Sequence, residues 1–432
     1  MKVLRIVAAF GVAAVLTGCG PSPAPQPSST TLTDAQRAEQ CAAAADDIVA
    51  AVGEVLGEYE QSGTSPTDPS PAPSATAAPS PSATAGDPLG DAVAAARQTR
   101  EQLGCDPDEF DTGLKAGLAE IEPETAIATA IWRRLSASLL GELRQEPGDW
   151  VLDADADLRE VVARAAEGTT IVLPPGTFPL EDTLVLLQGV TLRGAGRNAT
   201  SIRSTASDAA VIVATASLVR LEDLTIELTG DQPASGLVAG PSASVAMTGV
   251  RMAGAVAASD GVGGAGVYLS AQGDEGSGRG TTLEVTDSIF ERNAWAGVAV
   301  AGGHRVSIES ATFAGNGDVG ILFLDTASGS VAHSTFTDNR VGMAASGSAA
   351  PTWRADTITG GSVGLQMDAG AAPVIDGLQI SGSASAAVIY GGRSAGSMTE
   401  SVCSGVPYGI VVADTATPTL GANSCEISRG PT

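Results

Sequence analysis

The chain has 432 residues with 3% aromatic side chains and 53 glycines, so a core must be built in thin layers from Val, Ile, Leu and Ala. Its formal net charge is -26, and Lys2 and Lys115 are its only lysines, which leaves no continuous basic surface for a nucleic-acid backbone. Nucleic acid is excluded as a partner, and a polyanionic polymer would be repelled unless calcium or a local arginine cluster intervened.

Lys2 and Arg5 precede an apolar run over residues 7–16, and Leu16-Thr17-Gly18-Cys19 follows. This succession resembles the lipobox of bacterial lipoproteins, where small residues fit the signal peptidase and the thiol accepts lipid. The resemblance implies a signal peptide over 1–18, lipidation of Cys19 and a Pro/Ser tether over 19–33. Lipid chains anchor through burial of about 0.8 kcal/mol per CH2. The expected location is extracytoplasmic, anchored to the outer face of the bacterial cytoplasmic membrane or the cell envelope. Cys41, Cys105, Cys403 and Cys425 remain, an even number in a compartment that permits disulfides.

A small helical region is predicted over 34–148. Thr33-Asp34-Ala35-Gln36 reads as a capping box, and Cys41, Ile48, Val52, Val55, Leu56 and Tyr59 continue on one face of a helix over about 34–60. Residues 62–86 are a Pro/Ser/Ala/Thr linker that cannot bury a core. Asp87-Pro88 restarts a helix that stops at Gly104. If the two helices pair antiparallel across the linker, Cys41 and Cys105 reach roughly the same height, which predicts a disulfide between them. Helices over 107–121 and 123–143 complete the region. The acidic turn Asp106, Asp108, Glu109, Asp111 lacks the glycine and distal glutamate of an EF-hand and reads as helix-dipole compensation.

From Trp150 the pattern changes to short strands. One amphipathic helix over about 157–167 leads into Ile171-Val172-Leu173-Pro174-Pro175-Gly176-Thr177-Phe178 and then Val190-Thr191-Leu192-Arg193-Gly194-Ala195-Gly196. This succession resembles the start of right-handed parallel β-helices of the pectate-lyase-like superfold. The resemblance covers 150–432 and implies that the helix caps the open end of the first coil. Over 283–427 a unit of 22 or 23 residues repeats: Phe290, Phe313, Phe336, Ile358, Ile380, Cys403 and Cys425 share one phase, and Gly297, Gly320, Gly342, Gly364, Ala387 and Gly409 another. Such a circuit fits three short strands and three bends, with coils stacked about 4.8 Å apart. Phe290, Phe313 and Phe336 should stack inside, while Asn293, Asn316 and Asn339 should form an amide ladder at a turn. Cys403 and Cys425 should meet across adjacent coils, as a disulfide or as buried thiols.

Columns also constrain chemistry, because catalytic groups must meet in space. Asp287, Ser310 and His333 share a column, but a nucleophilic triad needs His between Asp and Ser. His304, at a Gly-Gly-His bend, reads as part of a surface turn, and two scattered histidines make no zinc site. Glu309, Asp325, Asp338, Asp356, Asp368 and Asp414 are dispersed among phases rather than paired as a glycosidase requires. The outward positions Ala299, Leu322, Ala344, Gln366, Ile389 and Val411 are mostly apolar, which suits a protein partner on this face. Trp295, Asp318 and Arg340 occupy similar phases, and an aromatic beside a charged pair suits a sugar ring. The interval from Met252 to Phe290 exceeds the period, so its loops should protrude and carry Asp260, Asp274, Glu275 and Arg279 as further ligand-binding candidates.

The sequence thus reads as a membrane-anchored β-helix lipoprotein acting as a binding or structural module toward cell-envelope or extracellular carbohydrate. Its alternatives are a polysaccharide lyase or glycoside hydrolase of the same superfold, and a non-catalytic spacer or assembly scaffold. No cofactor is implied, and calcium enters only under the lyase alternative. No catalytic residue is assigned.

Overall fold

The computed structural model describes residues 32–61, 88–153, 156–215, 217–240, 242–258, 263–269, 280–413 and 415–429. The chain divides into two compact units, with the boundary between Glu142 and Leu143.

In the helical unit, α1 (Asp34–Gln61) packs against α2 (Pro88–Leu103), α3 (Pro107–Ala119) and α4 (Ala126–Leu139). The capping box forms as the sequence predicts: the Gln36 N–H donates to Thr33 Oγ1 at 3.2 Å, and the Thr33 N–H donates to Gln36 Oε1 at 3.0 Å. Ile48, Val52 and Leu56 of α1, Phe110, Leu114 and Leu118 of α3, and Ile131 and Leu135 of α4 are buried. The Cys41–Cys105 disulfide joins the start of α1 to the end of α2, with Cα atoms 5.9 Å apart. The acidic turn is a cap, since Asp106 Oδ1 accepts the N–H groups of Asp108 and Glu109 at 2.9 and 3.1 Å. Helix α4 is shorter than the pattern predicts. Thr125 caps it by accepting the Ala128 N–H at 3.1 Å, so the helix begins at Ala126 instead of at Pro123.

The second unit is a parallel β-helix. One coil shows its plan: Arg305–Glu309 lies in a first sheet (A), Thr312–Ala314 in a second (B), Val319–Phe323 in a third (C), and Ser328–Ala332 then rejoins sheet A. Among the described residues, A, B and C contain 12, 10 and 11 strands, and every neighbouring strand pair within them is parallel. From Asp287 to Gly405 a left-handed residue turns the chain at each corner. At the A-to-B corner these are Asp287, Ser310, His333, Ala355 and Glu400, with φ of 47, 56, 50, 53 and 53°. Arg292, Gly315 and Asp338 serve the B-to-C corner, and Gly302, Asp325 and Gly347 the return to A. Left-handed backbone is open to Gly and tolerated by small polar residues, which is why Gly, Asp and Ser recur at these corners.

The core is built in columns. Phe290, Phe313 and Phe336 pair in register on sheet B, followed by Ile358, Ile380 and Cys403. The Phe rings stack at 5.0 and 4.6 Å between centroids. Each fully buried ring contributes about 1.5–3 kcal/mol by leaving water. Glycine makes room for them, because a Cβ on Gly320 would lie 2.6 Å from Phe336 Cδ1 and 2.5 Å from the Gly342 carbonyl oxygen. At the first coil, α5 (Leu158–Arg164) inserts Leu158, Val161 and Val162 into the same core. The final coil is stapled by a Cys403–Cys425 disulfide, which resolves the sequence alternative of buried thiols.

Candidate functional site

The strands of sheet C alternate between the core and an outer face. Ile321 and Phe323 point inward, whereas Leu322 lies in an outward row that register extends through Tyr268, Ala299, Leu322, Ala344, Gln366, Ile389 and Val411. Ala296, Val319, Val341 and Val363, three residues earlier on the same strands, form a second row that is buried and also lies outside the main core. These apolar side chains form a cluster separate from the core, against which Tyr268, Trp295 and Leu322 pack.

Trp295, Asp318 and Arg340 immediately precede three consecutive strands of this face. The Asp318 N–H donates to the Trp295 carbonyl at 2.9 Å, and the Val341 N–H donates to the Asp318 carbonyl at 2.8 Å, so the three residues stack on successive coils. The similar phases seen in sequence are therefore one spatial column. Arg340 Nε donates to Asp318 Oδ1 at 2.6 Å, and its Nη2 pairs with the same oxygen. Trp295 meets Tyr268 edge-on at 6.1 Å with 64° between the rings. Both rings are half-buried, each with part of its surface in solvent. Ser362 and Ser385 extend the column with hydroxyls 3.4 Å apart. Tyr268, Trp295, Leu322, Ala344, Gln366 and Ile389 are partly exposed over the buried Ala296, Ala299, Val319, Val341 and Val363, and the surface they make is bordered by an ion pair and hydroxyls. It can stack a planar or ring-shaped ligand and hydrogen-bond its rim.

The remaining candidates fall into different places. Asp260, Asp274, Glu275 and Arg279 lie outside the described residues, as does Cys19. Asn293, Asn316 and Asn339 form the expected ladder: Asn293 Nδ2 donates to Asn316 Oδ1 and Asn316 Nδ2 to Asn339 Oδ1, each at 2.9 Å. All three are buried. Asp287, Ser310 and His333 stack at the left-handed A-to-B corner, where backbone geometry explains the column. Asp287 pairs with Arg197 Nη2 at 2.6 Å and His333 Nδ1 with Glu309 Oε1 at 2.8 Å, so their partners come from outside the column.

His304 corrects the sequence reading. It is fully buried rather than part of a surface turn, and its Nδ1 accepts the N–H of Thr281 at 2.9 Å. The physical reason is a donor that needs a partner in the interior: the imidazole supplies the acceptor, and Gly302, at φ 85°, turns the chain to bring it there. Asp356, one of the dispersed carboxylates of the repeat, is also fully buried.

Sequence reasoning missed a second ladder. At five of the A-to-B corners, the side chain of the residue that follows the corner accepts an N–H from the preceding coil. Val250 donates to Ser288 Oγ at 3.1 Å, Ala311 to Ser334 Oγ at 3.1 Å, Ser334 to Asp356 Oδ1 at 2.8 Å, Leu378 to Ser401 Oγ at 3.2 Å, and Ser401 to Asn423 Oδ1 at 3.0 Å. The available signal is the spacing of Ser288, Ser334, Asp356, Ser401 and Asn423, interrupted by Ala311 and Leu378. Among the described residues, no group of three or more His, Cys, Asp or Glu is placed to hold a metal ion.

The family described as the right-handed β-helix region matches residues 209–373 and 265–428, more than half of the chain. The protein belongs to this right-handed β-helix family. Among solved structures, it is similar to a GH87 α-1,3-glucanase catalytic domain in complex with tetrasaccharides, with 13% identity, 65% of this chain and 59% of that one covered, and a TM-score of 0.47. It is also similar to the A-module of Azotobacter vinelandii mannuronan C-5 epimerase AlgE4, with 17% identity, 61% and 89% coverage and a TM-score of 0.40. A PL6 family alginate lyase gives 11% identity, 65% and 53% coverage and a TM-score of 0.33. Likeness at these identities is one of fold. The chain spans 59% of the length of the glucanase domain. No curated protein matches it in sequence.

Proposed function

We propose that this protein is an extracytoplasmic, lipid-anchored module that binds a glycan along the outer face of sheet C. The observation that carries the reading is the contact of Tyr268 with Trp295, two partly exposed aromatic rings on adjoining coils, beside the Asp318–Arg340 pair. Rigid aromatic surface suits the apolar face of a sugar ring, and the flanking hydroxyls and charged groups suit its rim. The ligand is a neutral glycan. Arg340 is already engaged by Asp318, and the net charge of -26 disfavours approach of a polyuronate. The lipobox-like sequence at Cys19 supports the anchor, and the two disulfides support an oxidising compartment.

The test is a glycan-array screen of the intact protein combined with a polysaccharide-turnover assay. Binding without turnover supports the module. New reducing ends or unsaturated-uronate absorbance would instead establish a hydrolase or a lyase, and absence of binding to any glycan would favour a spacer.

A further inference from the structure

The ladder at the A-to-B corner follows a rule that one residue breaks. Ser288, Ser334 and Ser401 each accept an N–H from the preceding coil, and each donates its hydroxyl to the carbonyl two residues back: Thr286 at 2.9 Å, Ala332 at 3.0 Å and Thr399 at 3.0 Å. Those carbonyls each also accept a backbone N–H, from Gly249, Ser310 and Gly377 respectively. Asn423 keeps the same pattern, with Nδ2 donating to the Gly421 carbonyl at 3.2 Å. The ladder thus needs an acceptor and a donor on every side chain that joins it.

Asp356 occupies this position on its own coil. Its Oδ1 accepts the Ser334 N–H at 2.8 Å, and the carbonyl two residues back, Arg354, accepts the N–H of His333 at 3.1 Å. That carbonyl has room for the second donor that its counterparts receive. Asp356 Oδ2 is buried without a hydrogen-bond partner, and the next coil places Leu378, which has no polar side-chain atom, at the equivalent position. An ionised carboxylate can only accept, so only the protonated acid can complete the pattern of Ser and Asn.

We propose that Asp356 is a proton-binding site built into the β-helix, folded as a neutral carboxylic acid, and that its ionisation loosens the corner joining the coils of Ser334 and Asp356. The charged groups around it are His333 and Glu309, paired at 2.8 Å, and Arg354, whose Nε lies 3.6 Å from Asp376 Oδ2. Burial pushes the carboxyl up to about 7, a rise opposed by the backbone at Ser334 and Arg354 and by His333, and assisted by Glu309. The sign follows from linkage. Between the ordinary aspartate value near 3.8 and about 7, the folded chain binds more protons than the unfolded one. Stability therefore falls as pH rises through this window and levels off above it.

The test is denaturant unfolding of the full chain from about pH 5 to about pH 9, for the wild type and for Asp356→Asn, which supplies both an acceptor and a donor as Asn423 does. The wild-type unfolding constant should rise toward neutrality by up to roughly tenfold per pH unit, and the variant should lack that rise. A variant retaining the wild-type slope would overturn the proposal. Infrared spectra of the wild type give a second measurement should the variant fail to fold. A protonated-carboxyl band at about pH 6 that disappears by about pH 9 supports the proposal, and its absence at about pH 6 overturns it.

Discussion

Asn316 Nδ2 donates to Asn339 Oδ1 at 2.9 Å, and the Asn316 N–H reaches the same oxygen at 3.0 Å. One side chain thereby satisfies two donors of the coil before it, and the arrangement recurs between Asn293 and Asn316. Asn316→Ala would leave the Asn293 N–H and Nδ2 without this acceptor and the Phe290 carbonyl without its donor. Each buried group left unsatisfied costs about 1–3 kcal/mol, so the substitution should destabilise the β-helix by several kcal/mol. Denaturant unfolding measures it, and a change of less than about 1 kcal/mol would remove the ladder from the account of stability.

The stacked phenylalanines make a separate prediction. Phe313 is fully buried between Phe290 and Phe336, with centroid distances of 5.0 and 4.6 Å. Phe313→Ala should cost about 3–5 kcal/mol, by lost transfer free energy and by the cavity left between two rings that cannot close on it. Gly320→Ala probes the same layer in the opposite sense. Its Cβ would stand 2.5 Å from a carbonyl oxygen, so overpacking should cost about 1–3 kcal/mol. Thermal and denaturant unfolding of both variants should agree in rank.

Reduction should act on the two units differently. The Cys41–Cys105 bond spans a sequence separation of 64 and the Cys403–Cys425 bond one of 22. Loop-closure entropy assigns them about 4 and about 3 kcal/mol respectively. Cys41→Ser should lower the unfolding midpoint of the helical unit, while Cys403→Ser should chiefly increase hydrogen exchange in the final coil. If both variants matched the wild type by calorimetry and exchange, neither staple would contribute as described.

The sequence revealed what repeats with one residue type and concealed what repeats with several. Phe290, Phe313 and Phe336, and likewise Asn293, Asn316 and Asn339, show their columns directly, since an inward position and an amide ladder each admit few substitutes. The A-to-B corner admits many. Asp287, Ser310, His333, Ala355 and Glu400 share only a left-handed backbone, so three of them resembled parts of a triad although φ is what unites them. The ladder one residue later was missed because Ser and Asn are ordinary turn residues and because Ala311 and Leu378 interrupt it. His304 misled for a related reason: a Gly-Gly-His bend looks exposed until the Thr281 N–H that it binds is known to lie beneath it. For the candidate site, register joined Trp295, Asp318 and Arg340 across a repeat one residue shorter, and it added Tyr268, which lies before the regular repeat begins.

The most direct measurement of the proposed function is calorimetric titration of the intact protein with neutral oligosaccharides, repeated on Trp295→Ala and Tyr268→Ala. Both rings contribute to one surface on a rigid scaffold, so each truncation should weaken binding by roughly tenfold or more, about 1.4 kcal/mol, while leaving the unfolding midpoint of the β-helix core nearly unchanged. Equal affinity in all three proteins would contradict a glycan site on the outer face of sheet C.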